Sequence, residues 1–189
     1  MEKYILGVSG EPGSFSEEAG LQYADKADLT VALSYLVDME GVLAAIDQGK
    51  IDLGIFPVVN SIGGLVSMAF EAMGKYLFVY LDQLQINVNQ CLMARAGLQL
   101  SEIRSVVSHP QGFAQSEVFL KKNLATVTRI LWQDTAKAAR ELASGVLPPD
   151  CAVIASAKAA KMYQLEILAE NIQGLSPNLT TFIIVKKAK

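Results

Sequence analysis

The apolar run Leu53-Gly54-Ile55-Phe56-Pro57-Val58-Val59 limits the possible folds of this sequence more than any other segment. It is far short of the roughly 20 residues a membrane-spanning helix needs, and it ends in the polar turn Asn60-Ser61-Ile62-Gly63-Gly64. Such a run reads as a strand, predicted over Asp52 to Val58, buried on both faces, as in α/β sheets. Its neighbours fit that reading. A short strand, Tyr4 to Val8, closes in Ser9-Gly10-Glu11-Pro12-Gly13, after which Ser14 or Ser16 can N-cap a helix over Glu17 to Ala24. A strand over Thr30 to Leu33 precedes a helix capped by Asp38, with Val42, Leu43 and Ile46 at helical spacing and Gly49 as its stop. A further helix is predicted from Leu65 to about Met73. This alternation implies an α/β fold with a parallel sheet.

From Val79 to Met93 the helical spacing gives way to an extended alternating chain, Leu84, Ile86 and Val88, ending in Cys91-Leu92-Met93. We read this as a crossover into a second lobe. That lobe repeats the motif: strand Ser105 to Ser108, turn His109-Pro110-Gln111-Gly112, helix Phe113 to Asn123 and strand Thr126 to Leu131. A helix from Asp134 to Ser144, a strand Ala152 to Ala155 and a helix Ser156 to Tyr163 follow. The β-rich segment Thr180 to Lys186 is expected to return to the first lobe. The expected division is residues 1–80 plus 172–189 for lobe 1 and 81–171 for lobe 2.

A chain of 189 residues that is 51% hydrophobic can bury a sizeable core. Its formal charge of -3, without a run of either sign, gives no footprint for a nucleic-acid partner. No membrane partner is expected. Tyr4 to Val8 begins without a basic leader region, so no secretory signal is expected and the protein is expected to be cytoplasmic. The two cysteines, Cys91 and Cys151, lack metal or redox spacing and read as buried small hydrophobes. A single histidine, His109, supports neither a multi-histidine metal site nor a Ser-His-Asp triad with any redundancy, so no metal is expected.

In parallel α/β sheets, ligands bind outside the carboxyl ends of the strands, which makes four polar turns the candidates. Gly10 to Ser16 brings backbone N–H groups and the hydroxyls of Ser14 and Ser16 to a helix start, a seat for a carboxylate or phosphate. Ordinary turn-making and capping would produce the same residues. Asn60 and Ser61 with Gly63 and Gly64 offer an amide, a hydroxyl and N–H groups to an anion, with capping again the plain alternative. Ser108-His109-Pro110-Gln111 is richer in polar side chains than a connecting turn requires. Asn178-Leu179-Thr180-Thr181-Phe182 opens the last strand, where paired threonines also serve β-propensity.

Taken together the four turns are specific. Gly10-x-x-Gly13-Ser14-Phe15-Ser16, then Asp52-x-Gly54-x-x-Pro57-x-x-Asn60-Ser61-x-x-Gly64, then Ser108-His109-Pro110-Gln111 with Gln115, then Asn178-x-Thr180-x-Phe182 run in one order along the chain. Asp134-Thr135-Ala136 with Ala138-Ala139, and Ala152 to Ser156 with Ala159, Ala160 and Tyr163, add to them. In order and spacing the sequence resembles prephenate dehydratases over essentially its full length. The resemblance implies two α/β lobes like those of type II periplasmic binding proteins, with the active site in the interlobe cleft. It implies conversion of prephenate to phenylpyruvate, water and CO₂ in phenylalanine biosynthesis, without a cofactor because aromatisation drives the reaction. It places the proton donor at Thr180. Substrate-binding positions implied are Ser14, Phe15, Asn60, Ser61, Gly64, Ser108, Gln111, Ala155, Ser156, Thr181 and Phe182.

The departures from the family pattern are also specific. Thr181 stands where the family's Thr-Arg-Phe motif has arginine, Val59 where Glu-Asn-Ser has glutamate, and Gln90 where histidine is common. These three changes are expected to fall in one pocket and to weaken substrate binding or catalysis, with Lys158 or Arg95 as candidate replacement charges. A dehydratase-like lyase is the leading expectation. A non-aromatising prephenate decarboxylase and a non-catalytic binder of prephenate-like anions are the alternatives. The expected partners are a small-molecule anion and a second copy, as a homodimer or higher homo-oligomer. The family's regulatory ACT domain is not expected in a sequence ending at Lys189.

Overall fold

A computed structural model describes residues 3–188. In chain order the elements are β1 (Lys3–Ser9), α1 (Phe15–Lys26), β2 (Thr30–Leu36), α2 (Met39–Asp47), β3 (Leu53–Asn60), β4 (Gly64–Leu65), α3 (Ser67–Met73), β5 (Phe78–Asn87) and β6 (Cys91–Ala94). They continue with β7 (Ser105–Ser108), α4 (Pro110–Gln115), α5 (Glu117–Asn123), β8 (Thr128–Leu131), α6 (Thr135–Ser144), β9 (Cys151–Ala155), α7 (Ala157–Tyr163), β10 (Glu166–Ala169) and β11 (Leu179–Lys187). The chain divides into two units: residues 3–11, 15–87 and 179–188 form one, and residues 12–14 and 88–178 the other. The sequence reading set the passages at 80/81 and 171/172. They lie at 87/88 and 178/179 because β5 pairs with β11 along its whole length, Phe78 to Asn87 against Lys187 to Leu179.

The first unit is built on a sheet ordered β2-β1-β3-β11-β5, with β4 paired to β3. Its parallel part, β2-β1-β3, follows from the alternation of strands and helices. The other half was not read from the sequence: β11 runs antiparallel to both β3 and β5. No helix connects β5 to its neighbour in the sheet, because that neighbour arrives from the far end of the sequence. Val42, Leu43 and Ile46 of α2 pack with Phe56, Ile183 and Val185 in one buried cluster. The helix start was legible: Asp38 Oδ1 accepts the Gly41 N–H at 2.8 Å. The helix expected from Leu65 starts later, at Ser67, because Gly64 and Leu65 pair with Asn60 and Val59.

The second unit carries a five-stranded sheet, β10-β6-β9-β7-β8. Strands β8, β7 and β9 are parallel, whereas β6 and β10 are antiparallel additions. Asp134 and Ser156 cap α6 and α7, each side chain accepting a backbone N–H three residues on. Gly145, at φ 89°, ends α6 in the left-handed conformation that glycine tolerates best. The turn expected at His109 to Gly112 is instead the start of a helix, since Pro110 at its first position is already set for helical φ. The single helix expected over Phe113 to Asn123 is two, α4 and α5. Ser116 breaks it at φ -102°, ψ 10°, and the Gln115 carbonyl accepts the Gly174 N–H at 2.9 Å. Strand β10 carries no signal of its own in the sequence.

Gly54 marks the closest approach of β3 to α2. A Cβ there would lie 2.6 Å from Val42 Cγ1 and 3.3 Å from both Ile46 Cγ1 and Val185 Cγ2. Gly54→Val is expected to destabilise the first unit by about 2 kcal/mol through overpacking. The check is a lower urea midpoint at an unchanged m-value.

Candidate functional site

Asn60 ends β3 and faces Thr180 directly across the β3–β11 ladder. Its amide oxygen accepts the N–H groups of Ile62 and Gly63, at 2.9 and 2.7 Å, so Oδ1 is held toward the turn and Nδ2 toward β11. Nδ2 donates to Thr180 Oγ1 at 2.8 Å and to the Leu179 carbonyl at 3.3 Å. A hydroxyl has one proton and two lone pairs. With Asn60 donating to the oxygen, the Thr180 proton is directed to some other acceptor. Both residues are buried, at 3% and 6% exposure, so this bond is well shielded from water.

Ser61 completes the turn from both sides: its N–H donates to the Leu179 carbonyl at 2.8 Å, and its Oγ accepts the Leu179 N–H at 2.9 Å. The turn was expected to offer N–H groups to an anion. Those of Ser61, Ile62 and Gly63 already donate within the unit, to Leu179 O and Asn60 Oδ1. Gly64, at φ 73°, has open space where a Cβ would stand. Phe15 is the first residue of α1, and Phe182, 2% exposed, is part of the core.

Thr181 and Val59 also face one another across the same ladder, one position on. Directly opposed residues share a sheet face and successive residues alternate, so this pair lies on the face opposite Thr180 and Asn60. From the next strand Gln85 Nε2 donates to Thr181 Oγ1 at 3.0 Å. Val59 packs against the cluster that holds Val66 and Ile183. Of the three altered motif positions, 59 and 181 make one cross-strand row on the face away from Thr180, and Gln90 belongs to the second unit.

The second unit holds Ser14, Ser108, Gln111, Ala155 and Ser156. Ser156 Oγ donates to the Gly13 carbonyl at 2.7 Å while accepting the Ala159 N–H, and Tyr163 donates to the Pro12 carbonyl at 2.9 Å. Residues 12–14 are thus latched to α7, with the Gly13 Cβ position 3.2 Å from Ala159 Cα. Ser14 is buried beside them. Ser108 Oγ donates to the Ile154 carbonyl at 3.0 Å, next to Ala155 at the end of β9. A Cβ on Gly112 would stand 2.4 Å from that hydroxyl, which is why glycine follows. Gln111 Oε1 is buried without a hydrogen-bond partner, a state that a polar ligand group or a rotated amide would relieve.

A third constellation was not singled out as a site by sequence reading. Gln115 Oε1 accepts from both Gln90 Nε2 and Asn178 Nδ2, each at 2.9 Å, and Asn178 Nδ2 also donates to the Val88 carbonyl at 2.8 Å. Gln85 and Tyr163 were missed as partners because polar residues in an extended or helical stretch carry no periodic mark. Arg95, a candidate replacement charge, is engaged elsewhere: Nε and Nη2 donate to the Leu142 carbonyl at the end of α6. Cys91 and Cys151 are buried, and burial pushes both thiols up and away from reactivity. Among the described residues no cluster of three or more His, Cys, Asp or Glu could hold a metal, and no helix is long and apolar enough to cross a membrane.

The family described as prephenate dehydratase matches residues 6–189. Arogenate dehydratase 1 of Petunia hybrida is 34% identical over 182 residues, which is 96% of this chain and 42% of that protein. The chain spans under half the length of that relative. The solved prephenate dehydratase of Arthrobacter aurescens, in complex with L-Phe, superposes with a TM-score of 0.82 at 25% identity over 98% of this chain and 61% of that one. A Bordetella pertussis extracytoplasmic solute receptor binding pyroglutamic acid shares the fold alone, with a TM-score of 0.53 at 9% identity over 99% of this chain and 71% of that one. The mixed α/β fold with two sheets is thus common to dehydratases and to solute receptors of the periplasmic-binding type.

His109 caps α4 through Nδ1, which accepts the Gln111 N–H at 3.2 Å, and burial lowers its pKa. The folded state therefore holds the ring neutral, while the unfolded chain protonates near pH 6.5. Stability from this group is present above that pH and is lost as pH falls through the lower, folded value. Thermal melts at pH 7 and pH 5 are expected to show a smaller acid loss in His109→Asn, which keeps a capping acceptor, than in the parent.

Proposed function

The chain belongs to the prephenate dehydratase family, and we propose that it carries out that reaction on prephenate or the closely related arogenate. The bond from the ring carbon to its carboxylate breaks, releasing CO₂, and the electron pair enters the ring. The bond to the ring hydroxyl breaks in the same direction, and the departing oxygen takes a proton and leaves as water. Thr180 supplies that proton. The product from prephenate is phenylpyruvate.

The observation that supports this reading is the bond from Asn60 to Thr180. A threonine hydroxyl is a weak acid, so its value as a donor lies in orientation. Asn60 cannot accept from Thr180 while its own oxygen is held by Ile62 and Gly63, so the Thr180 proton is kept for another acceptor. Gln111, Ser14 and Ser61 are proposed to help hold the substrate, with Phe15, Gly64, Ser108, Ala155, Ser156, Thr181 and Phe182 shaping or supporting the site. Ser108 and Ser156 act through backbone, since their hydroxyls donate to Ile154 and Gly13. A homo-oligomer working in the cytoplasm completes the proposal.

Incubation with prephenate, with product identified by mass and ultraviolet spectrum against a no-enzyme control, is expected to give phenylpyruvate. A hydroxylated, non-aromatic product would move the assignment to a decarboxylase. Thr180→Val is expected to lower turnover about 100-fold or more while leaving the fold intact; turnover equal to the parent would remove Thr180 from the mechanism. Asn60→Asp, nearly isosteric, replaces the donor by an acceptor that claims the Thr180 proton. It is expected to lower turnover by a similar factor, read as a fall in kcat.

A further inference from the structure

Strand β5 forms one end of the first unit's sheet, so one side of its backbone is paired with β11 and the other, among the described residues, with no strand. It is ten residues long, with exposed apolar side chains at Val79, Tyr80 and Leu81 and a further one, Leu77, just before it. A long apolar edge of this kind is a template for pairing with another chain. Asp82 is its one charged side chain. The carboxylate is folded back onto its own strand: Oδ1 accepts the Gln83 N–H at 2.7 Å, and Oδ2 accepts Lys26 Nζ, at the end of α1, at 2.9 Å. Both donors, Lys26 first, lower the Asp82 pKa, so the group is charged at neutral pH. Beside it the register shifts, with Ile184 opposite Asp82 and Val185 opposite Tyr80, which leaves Leu81 as the extra residue of a bulge.

We infer that Asp82, aimed by Lys26, keeps the outer edge of β5 from pairing with the β5 of a second copy of this chain. Backbone groups along an antiparallel strand alternate between its two sides. An N–H taken by an exposed side chain of the same strand lies on the outer side, so Asp82 occupies a donor that an incoming strand needs. Charge acts in the same direction. Two copies pairing antiparallel are related by a two-fold axis, which near the middle of β5 sets residue 82 or residue 83 opposite itself. In either register the two Asp82 side chains share a sheet face as direct or diagonal neighbours, where like charges repel. An exposed ion pair adds little stability of its own, so the part of Lys26 is to fix the direction of the carboxylate. Any homo-oligomer of this chain is then built on another surface.

Sedimentation of the folded chain, read as mass against protein concentration, tests this. The parent's own mass is the reference. Asp82→Val frees the Gln83 N–H and removes the charge, and is expected to raise the mass about twofold as concentration rises. Should the valine variant not fold, Asp82→Ala carries the same expectation. Gln83→Val also makes the strand more apolar but leaves both the backbone contact and the charge of Asp82, and is expected to keep the parent's mass. Asp82→Val combined with Gln83→Lys puts a charge back on the edge and is expected to return to that mass. Asp82 variants with the parent's mass, a double variant that stays associated, or Gln83→Val associating as Asp82→Val does would overturn the inference. So would a parent whose mass falls on Gln83→Lys alone, since the edge would then already be in use. Turnover plays no part in these readouts, so they stand whether or not the proposed reaction is observed.

Discussion

The pairing of β3 with β11 carries the rest of the first unit. It joins residues 120 positions apart in sequence, Asn60 and Thr180, and brings a motif near the start of the chain against one near its end. Because β11 lies between β3 and β5, its ladders satisfy the backbone of three strands at once. A slip of one residue would turn Thr180 to the opposite face and Thr181 to the Asn60 side. The register is held by side chains as well as by the ladder. Asn60 binds the Thr180 hydroxyl, Ser61 binds Leu179 through both N–H and Oγ, and Gln85 binds Thr181. Below them Ile183 and Val185 anchor the same strand in the apolar cluster shared with α2.

The second unit uses polar side chains to the same end but around one acceptor. Gln115 sits where α4 gives way to α5, and its amide oxygen gathers Gln90 and Asn178, which flank the stretch of chain that makes up most of this unit. Such a buried network is stabilising only when its members are satisfied, and the Gln90 Oε1 atom has no partner within it. Ser156 and Tyr163 show the complementary economy, each using its hydroxyl to hold a carbonyl of residues 12–13.

Most of the local structure was legible in the residues. Asp38 caps the helix it was expected to cap, Asp134 and Ser156 cap the helices read as beginning with them, and Ser105–Ser108 is a strand with the bounds read from the sequence, because caps and apolar runs are properties of neighbouring residues. The order of motifs also carried the family. What sequence could not carry was pairing between distant segments. Nothing near Thr181 indicates that it faces Val59 and Gln85, and nothing near Asn60 indicates that it draws the N–H groups of its own turn away from an incoming anion. The antiparallel placement of β11 between β3 and β5 was out of reach for the same reason. Alternating strands and helices describe successive elements, and β11 is next in sequence to neither of its partners.

The position of β11 also sets an order of events during synthesis. All five strands of the second sheet lie between residues 91 and 169, so that sheet can assemble once this stretch has left the ribosome. Strands β3 and β5 emerge earlier, but each waits for residues 179–187 before its inner edge is paired. Of the two sheets, the one whose strands begin to emerge first is therefore the one completed last. In the interval an apolar strand edge stands open, a state in which nascent chains are prone to associate with one another.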